Sequence, residues 1–446
     1  MSEVASPMRD IEEAIGYART VHDAPSHVLT SYEDINFVLR SQDFAPLAAE
    51  AGHGAQWHTL VIRGVAADLH GQEHFERRRI LTALLKRTAV LKGYEQEYLI
   101  PEIDRLLRAA PAVSGDPDNV RVDLVTELRR SLIRLIARLV GVDRVVEGTK
   151  VDEEFESLVA AVERGVRSKF VENQEQVTRE ALNAQHRMVE EYFNPARKSR
   201  EEIYARIRAG ELDDDAMPND LLSLIVRHQD YYDGFGPDAA NREASLLMVA
   251  AVGSTVNALC FAVADLDRWL RRHPEDEDRR LEPAFLQRCF AESMRLGQTN
   301  NLYRTATTTT TLPSGTLVKD GEVVIVNRPA GNAELESGGT SAIAEHGFDP
   351  DRVLQGKVAQ YGLGFGGGAH MCIGKDLAVA GFPRLASVEA DQLGLAVRMF
   401  RMLQERGARV DLDATELVED MTGRPTWKTL VVECRRTVEA KGGAPK

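Results

Sequence analysis

The fold of this chain follows from one segment, Phe365-Gly-Gly-Gly-Ala-His-Met-Cys-Ile-Gly374. It places one cysteine, Cys372, among glycines and just ahead of a long helical pattern that begins near Lys375. Free N–H groups at the start of a helix, and the positive end of its dipole, stabilise a thiolate. Glycines let backbone donors approach the sulfur because no side chain stands in the way. The segment therefore predicts a hydrogen-bonded, anionic cysteine.

Several chemistries can use such a cysteine, and the residues leave more than one of them open. The overlapping Gly362-x-Gly364-x-x-Gly367 matches a dinucleotide fingerprint, but residues 357–361 are a poor candidate for the strand that this motif needs. A zinc site at His370 and Cys372 lacks further ligands nearby. A cysteine nucleophile partnered by His370 and an inert cysteine in a glycine-rich turn also stay open. A dry, anionic and hydrogen-bonded sulfur also suits axial ligation of haem iron, where it favours O–O cleavage.

The segment resembles, at every fixed position, the haem-binding loop of the cytochrome P450 family. The matching pattern is Phe365-x-x-Gly368-x-His370-x-Cys372-x-Gly374. The resemblance implies that Cys372 is the metal ligand of a haem b. It also implies these cofactor-binding residues in the loop: Phe365, Gly366, His370, Cys372 and Gly374.

A second motif, Glu292-Ser-Met-Arg295, resembles the Glu-x-x-Arg pair of the same family. Positions i and i+3 share a helix face, so the two side chains can pair. On its own the motif is weak, since a solvated surface pair has the same spacing. In the family the pair is buried and joined by a third residue, and Arg352 matches that position.

Basic residues elsewhere match the family's ligands for the haem propionates. His74 and Arg78 are spaced i, i+4 and share one face of a predicted helix, where they could hold an anion. The resemblance implies that they and Arg304, together with His370 of the loop, bind the propionates. Arg77 and Arg79 are expected to point elsewhere, toward solvent or a partner.

The residues Ala239–Arg272 predict one helix of about 50 Å, at about 1.5 Å per residue. Its apolar centre is near the length of a membrane span. The small and polar residues within it favour a buried central helix that passes over a flat cofactor.

The family usually carries an acid and then a threonine in this helix, which relay protons to bound dioxygen. The matching positions here hold Gly253 and Ser254, followed by Thr255. These three are the candidate catalytic residues, but the carboxylate is missing. Three explanations stay open: water or a substrate hydroxyl carries the protons, peroxide is the oxidant, or the chemistry is not an ordinary hydroxylation.

Composition indicates a cytoplasmic enzyme. The 55 basic residues are outnumbered by 69 acidic ones, and the net charge of −14 argues against a nucleic-acid partner. The first residues, Met1–Pro7, contain no apolar run, so neither a signal peptide nor a membrane anchor is expected. Four widely spaced cysteines indicate reduced thiols. We expect a mainly α protein with small β-sheets, forming a single domain over residues 1–446, with the resemblance most specific over 74–380.

The resemblance implies a haem-thiolate monooxygenase that takes electrons from a ferredoxin and its reductase. Lys375, with Arg77 or Arg79, is expected to attract an acidic ferredoxin. Family positions place the substrate beside Leu47–Asp68, Val252, Ser254 and Gln298–Tyr303. The polar character of the last segment predicts a small polar secondary metabolite, such as a modified amino acid, peptide or polyketide. A peroxide-driven haem enzyme and a non-catalytic partner protein of the same fold are the alternatives.

Overall fold

The computed structural model describes most of the chain. The described residues are 26–46, 59–85, 94–146, 149–168, 171–236, 238–296, 301–337, 347–352, 358–380, 388–420 and 425–437. Over these ranges the protein is mainly α-helical with small β-sheets, as predicted.

The α-helices lie mostly in the first two thirds of the chain. Their bounds are α1 Tyr32–Arg40, α2 Thr59–Ile62, α3 Gly71–Leu84, α4 Ile100–Ala109, α5 Leu124–Val140, α6 Thr149–Val166, α7 Gln174–Met188, α8 Asn194–Arg208, α9 Leu221–Arg227, α10 Gln229–Asp233, α11 Ala239–Arg272, α12 Pro283–Arg295, α13 Arg328–Ser337, α14 Lys375–Ala378 and α15 Leu395–Glu405. Two π-helical turns, Glu95–Leu99 and Val189–Phe193, run directly into α4 and α8.

The strands are short and form four sheets among the described residues. Their bounds are β1 Ser26–Leu29, β2 Phe44–Pro46, β3 Ala112–Val113, β4 Asp116–Asp123, β5 Leu302–Ala306, β6 Thr310–Thr311, β7 Leu317–Val318, β8 Val323–Val326, β9 Arg409–Val410, β10 Glu416–Glu419, β11 Pro425–Thr429 and β12 Val431–Arg435. The strand orders are β1-β8-β5-β2, β3-β4-β12-β9, β10-β11 and β6-β7. Only the β1–β8 pairing is parallel in these sheets.

The central helix, α11, has the bounds that the sequence predicts, Ala239–Arg272. It is long and apolar enough to cross a membrane by length and composition, yet 56% of its most apolar window is buried within the protein. It packs on α5, α6, α12 and α15 and lies in the larger of the two apolar cores. Arg271 and Arg272 in the last turn complement the negative end of its dipole.

The residues also form a helix at Tyr32–Arg40, a strand at Ser26–Leu29 and a β10–β11 hairpin just before β12. The long helix predicted after Cys372 is wrong for the described residues, because α14 has only four residues. It cannot continue through Ala380, which takes a left-handed φ of 59°.

Candidate functional site

The cysteine loop is a tight backbone structure that packs on α1. The Cys372 N–H donates to the Phe365 carbonyl at 2.9 Å and closes the loop. Gly368 has a φ of +63°, and a Cβ there would lie 1.9 Å from the Leu39 carbonyl oxygen. Only glycine meets both conditions. Gly366 also has a positive φ, +72°, and the Phe365 ring is buried edge-on against Tyr361.

The sulfur of Cys372 lies in a cleft. Its side chain is accessible to solvent, although the surrounding protein is dense enough to raise the pKa of the thiol by burial. The N–H groups of Gly374 and Lys375 donate to the sulfur, and the charges of Arg78 and Arg328 also lower its pKa. The predicted N–H donors are therefore present, but in the protein alone burial outweighs them. A bound metal cation would reverse this balance, since a coordinating thiol is deprotonated.

The basic residues predicted from three distant segments lie together beside this loop. The rings of His74 and His370 stack at 3.9 Å between centroids, and His70, which the sequence did not single out, stacks on His370 at 6.0 Å. Arg304 is buried, and its one hydrogen bond to a described residue goes to the Tyr303 carbonyl. Neither Arg78 nor Arg304 forms an ion pair within the described ranges.

Burial lowers the pKa values of this group. Burial, and then Arg78, lower the pKa of His74 to about 4. Burial, and then His74, lower the pKa of His370 to about 3. Burial lowers the pKa of Arg304 to about 10. Both imidazoles are therefore neutral at neutral pH, and the cations are Arg304 and Arg78, of which Arg78 is acted on by Cys372 and Asp376. Buried charges are normally paired, so Arg304 is placed to receive an anion.

The predicted ion pair beneath the loop is present and buried. Arg295 donates two hydrogen bonds to the Glu292 carboxylate, at 2.8 and 2.7 Å, and Arg352 donates a third at 3.0 Å. Glu292 is fully buried. Asn332, to which sequence reasoning gave no role, accepts from the Leu363 N–H at 2.7 Å and donates to the Arg295 carbonyl at 2.8 Å. The loop is thus tied to the ion pair through one amide.

Arg77 contradicts the sequence prediction, because it faces neither solvent nor a partner. Its side chain is fully buried and donates to Glu243 on the central helix at 2.7 Å. Its guanidinium carbon lies 4.2 Å from the centre of the Tyr232 ring and 4.6 Å from that of Phe235. This contact could not be predicted from local sequence patterns, because Glu243 lies 166 residues away. Of the two arginines expected to be exposed, only Arg79 is.

The central helix presents its candidate residues on different faces. Ser254 is exposed in the middle of a buried helix and donates to the Ala250 carbonyl. Thr255 is half-buried. Val252 is fully buried, which contradicts its predicted place at the substrate. Gly253 faces α6, and a Cβ built on it would lie 2.2 Å from a carboxylate oxygen of Glu163.

A polar cavity of about 170 Å³ lies along this part of the central helix. Gly253, Ser254 and Asn257 line it from the helix, and the β10–β11 hairpin closes it with Thr426 and Trp427. The Glu163 carboxylate, held by Arg129 and Arg167 at 2.9 Å each, lines the opposite wall. Sequence reasoning missed this group because its members come from four elements.

The residues present fit a haem. A haem carries two propionates, which would supply the anions that the buried cations lack, and its iron would take the accessible sulfur of Cys372. Of the other predicted lining, Asn301 is exposed, while residues 47–58 and Gln298–Asn300 lie outside the described residues.

The fold and this cleft are those of a mainly helical protein with one accessible cysteine beside a group of basic residues. The chain belongs to the cytochrome P450 family, whose model matches residues 17–380. Members of this family are monooxygenase enzymes that hold haem through a cysteine thiolate. Comparison of the sequence with curated proteins gives no significant match.

Solved structures of similar fold include CalO2, with 16% identity, a TM-score of 0.65 and coverage of 97% of this chain and 98% of that one. P450BioI in complex with an acyl carrier protein ligated to hexadec-9Z-enoic acid has 16% identity, a TM-score of 0.64 and coverage of 96% and 99%. The mycinamicin VIII C21 methyl hydroxylase MycCI from Micromonospora griseorubida has 18% identity, a TM-score of 0.58 and coverage of 94% and 96%. At such identities the likeness concerns the fold alone.

Proposed function

We propose that this protein is a haem-thiolate monooxygenase that hydroxylates a small polar secondary metabolite with dioxygen and electrons from a ferredoxin system. The observation that carries the proposal is Arg304, a buried arginine that forms no ion pair with the described residues, beside two stacked histidines and an accessible cysteine. Without a dianionic cofactor this arrangement costs stability and serves no purpose in the described structure.

The roles of the site residues follow from their places. Cys372 would ligate the iron, with the N–H groups of Gly374 and Lys375 bonded to its sulfur. His74, Arg78, Arg304 and His370 would pair with the propionates. The haem supplies the activation of dioxygen, while the chain supplies ligand, orientation and access for protons.

The overall reaction sets what the chain must deliver to the cleft. One substrate C–H bond, one dioxygen, two electrons and two protons give one alcohol and one water. Ser254, Thr255 and the backbone at Gly253 are the candidate groups beside the reacting atoms. Ser254 has an exposed hydroxyl that can hold water, although its own proton is engaged by the Ala250 carbonyl.

A polar substrate is supported by the composition of Gln298–Tyr303, the segment expected to line the substrate site. Of its described residues, Asn301 is exposed. Ligand sites are usually apolar with a few convergent polar groups. A polar lining therefore favours a ligand with hydrogen-bonding groups, such as a modified amino acid, peptide or polyketide. MycCI and the enzyme CxnD, which forms a C–S bond in chuangxinmycin biosynthesis, act on secondary metabolites.

A ferredoxin would dock on the solvent face of α3, the helix that carries His74 and Arg78. Phe75 is 63% exposed there, and Arg79 is exposed one turn later. Lys375 pairs with Asp376 at 2.6 Å and is mostly buried, so Arg79 is the stronger candidate. Arg79→Glu should slow reduction by an acidic ferredoxin. It should also remove most of the salt dependence of that rate.

The experiment that tests the proposal is a ligand-binding titration of the haem-loaded ferric protein. Amino-acid, peptide, aromatic and polyketide compounds are added while the Soret band is recorded. A shift from low to high spin, followed by hydroxylated product with ferredoxin, reductase and dioxygen, supports the proposal. If product forms with hydrogen peroxide alone and none forms with the ferredoxin system, the oxidant is peroxide and not dioxygen. A reduced, carbon-monoxide-bound spectrum without a thiolate band would refute it.

A further inference from the structure

We infer that the carboxylate missing from position 253 of the central helix has been relocated to Glu163 of α6, which positions water for proton supply beside Ser254. The inference rests on the proposed monooxygenase function, because that reaction consumes two protons inside a cleft. Glu163 lies on α6, whereas the family usually carries its acid on the central helix.

The first observation is the space above Gly253. Glycine in a helix interior costs about 0.5–1 kcal/mol relative to alanine, so its presence there needs a reason. A Cβ at this position would lie 2.2 Å from one Glu163 carboxylate oxygen and 3.0 Å from the carboxylate carbon. The Glu163 carboxylate thus fills the volume that a side chain at 253 would occupy. The position of Glu163 therefore explains both why residue 253 carries no carboxylate and why it is a glycine.

The second observation is how Glu163 is held. It lies in the last turn of α6, where the helix dipole disfavours a negative charge. Arg129 on α5 and Arg167 just beyond α6 each donate to one of its oxygens at 2.9 Å. A carboxylate has about four acceptor sites, so two remain for water. The two arginines fix the carboxylate in place without using its full capacity.

The third observation is the cavity that Glu163 shares with Ser254. The cavity has a volume of about 170 Å³, and both residues line it together with Gly253. A polar space of this size holds several waters, each with protein partners available. Water bound to Glu163 can therefore extend to Ser254, which stands at the position where the family carries its threonine. Glu163 acts through water and Ser254, and so it is a positioning residue.

The position of Glu163 also predicts the effect of restoring an acid at position 253. Gly253→Asp would place a second carboxylate against Glu163, where two negative charges compete for one space. It should destabilise the protein and bring no gain in product. The same substitution combined with Glu163→Ala moves the acid back onto the central helix, within reach of the same two arginines.

The test uses the haem-loaded protein with its ferredoxin system and needs no substrate. The readout is the fraction of electrons recovered as hydrogen peroxide, instead of water, while dioxygen is consumed, together with the solvent isotope effect. Glu163→Gln keeps shape and removes the charge, and it should raise the peroxide fraction at least threefold. Gly253→Ala displaces the carboxylate without removing it and should do the same. Glu163→Ala/Gly253→Asp should return within twofold of wild type.

Glu102→Gln is the matched control. Glu102 also pairs with two arginines, Arg105 and Arg134, and its side chain is 11% exposed against 15% for Glu163. It lies outside the cavity, so its substitution should leave the peroxide fraction unchanged. If Glu163→Gln gives the same peroxide fraction and isotope effect as Glu102→Gln, the inference is wrong. If the wild-type protein consumes no dioxygen even in the presence of a compound that shifts its Soret band, the proposed function fails, and this inference fails with it.

A second readout does not depend on turnover. Unfolding midpoints of the Gly253→Asp, Glu163→Ala and doubly substituted proteins form a cycle. Gly253→Asp should shift the folding equilibrium at least tenfold less in the Glu163→Ala background than in wild type. An equal shift in both backgrounds would mean that the carboxylate does not occupy the space at 253, which overturns the inference.

Discussion

Replacing Arg77 by methionine should be among the most damaging single changes outside the cysteine loop. Methionine keeps most of the volume but leaves Glu243 as a buried carboxylate, 6% exposed, without its cation. Its main remaining partner among the described residues is the Ala66 N–H at 3.0 Å. Breaking a buried ion pair from one side costs about 3–5 kcal/mol. The lost stacking on Tyr232 and Phe235 adds to this.

The expected change in thermal midpoint is modest in spite of this energy. Unfolding entropy is about 2.1 cal/mol/K per residue, or about 0.9 kcal/mol/K for 446 residues. A loss of 3–5 kcal/mol therefore lowers the midpoint by about 3–6 °C. Circular dichroism resolves such a difference. Arg79→Met, on the same helix but exposed, is the control and should change stability by less than about 0.5 kcal/mol.

Two further experiments distinguish the loss of the ion pair from general damage to α3. Arg77→Met/Glu243→Leu should recover most of the loss, because no charge is then buried. Burial already raises the pKa of Glu243, and Arg77 opposes this. Without Arg77 the folded state holds the proton more strongly, so the deficit should be smaller at pH 5 than at pH 8. A midpoint for Arg77→Met within 1 °C of that for Arg79→Met, at both pH values, would refute the reasoning.

Three other predictions concern the cysteine cleft. Gly368→Ala should abolish the thiolate band of the reduced, carbon-monoxide-bound protein, because its Cβ would lie 1.9 Å from the Leu39 carbonyl oxygen. Gly367→Ala should retain the band, because residue 367 has an extended φ and a Cβ there would lie 3.4 Å from the Leu39 side chain. Arg304→Ala should raise the thermal midpoint of the haem-free protein, because it removes a buried cation that has no ion pair among the described residues. The same variant should lose haem to a scavenger protein faster. Folding lowers the pKa of His74 from 6.5 to about 4, so the unfolded chain binds more protons than the folded protein between these pH values. The thermal midpoint of the haem-free protein should therefore fall as the pH drops from 6.5 toward 4. It should fall less in the His74→Gln variant.

Each of these has a clear contrary result. Equal spectra for the two glycine variants would mean that the loop can move away from α1. A lower haem-free midpoint for Arg304→Ala would mean that this arginine is a structural residue. An acid response that His74→Gln leaves unchanged would assign the titration to other groups.

The sequence predicted those features that depend on local pattern or on a long, specific motif. The central helix was bounded correctly because its apolar run and its charged ends are continuous in the chain. The Glu292–Arg295 pair follows from spacing on one helix face. The short α14 was not predicted, because the sequence after Cys372 reads as helical and the left-handed Ala380 is visible only in the backbone.

What the sequence could not predict are contacts between distant elements. The spacing of His74 and Arg78 identifies one face of α3, but it cannot say whether the neighbouring arginine meets solvent or Glu243. Gly253 looked like the loss of an acid, since Glu163 lies 90 positions earlier on another helix. A glycine in the interior of a long helix was the available signal, because such a residue usually marks the close approach of another group.

The strand order of one sheet has a consequence for synthesis in the cell. β12, residues Val431–Arg435, lies between β4 and β9 and pairs with residues 119–123. The ribosome releases β4 about 300 residues before its partner, so for most of translation β4 has an open edge. A message cut short before codon 431 would encode every helix of the described residues and the cysteine loop. Its product would still expose a strand edge to other nascent chains, and we expect it to aggregate or be degraded.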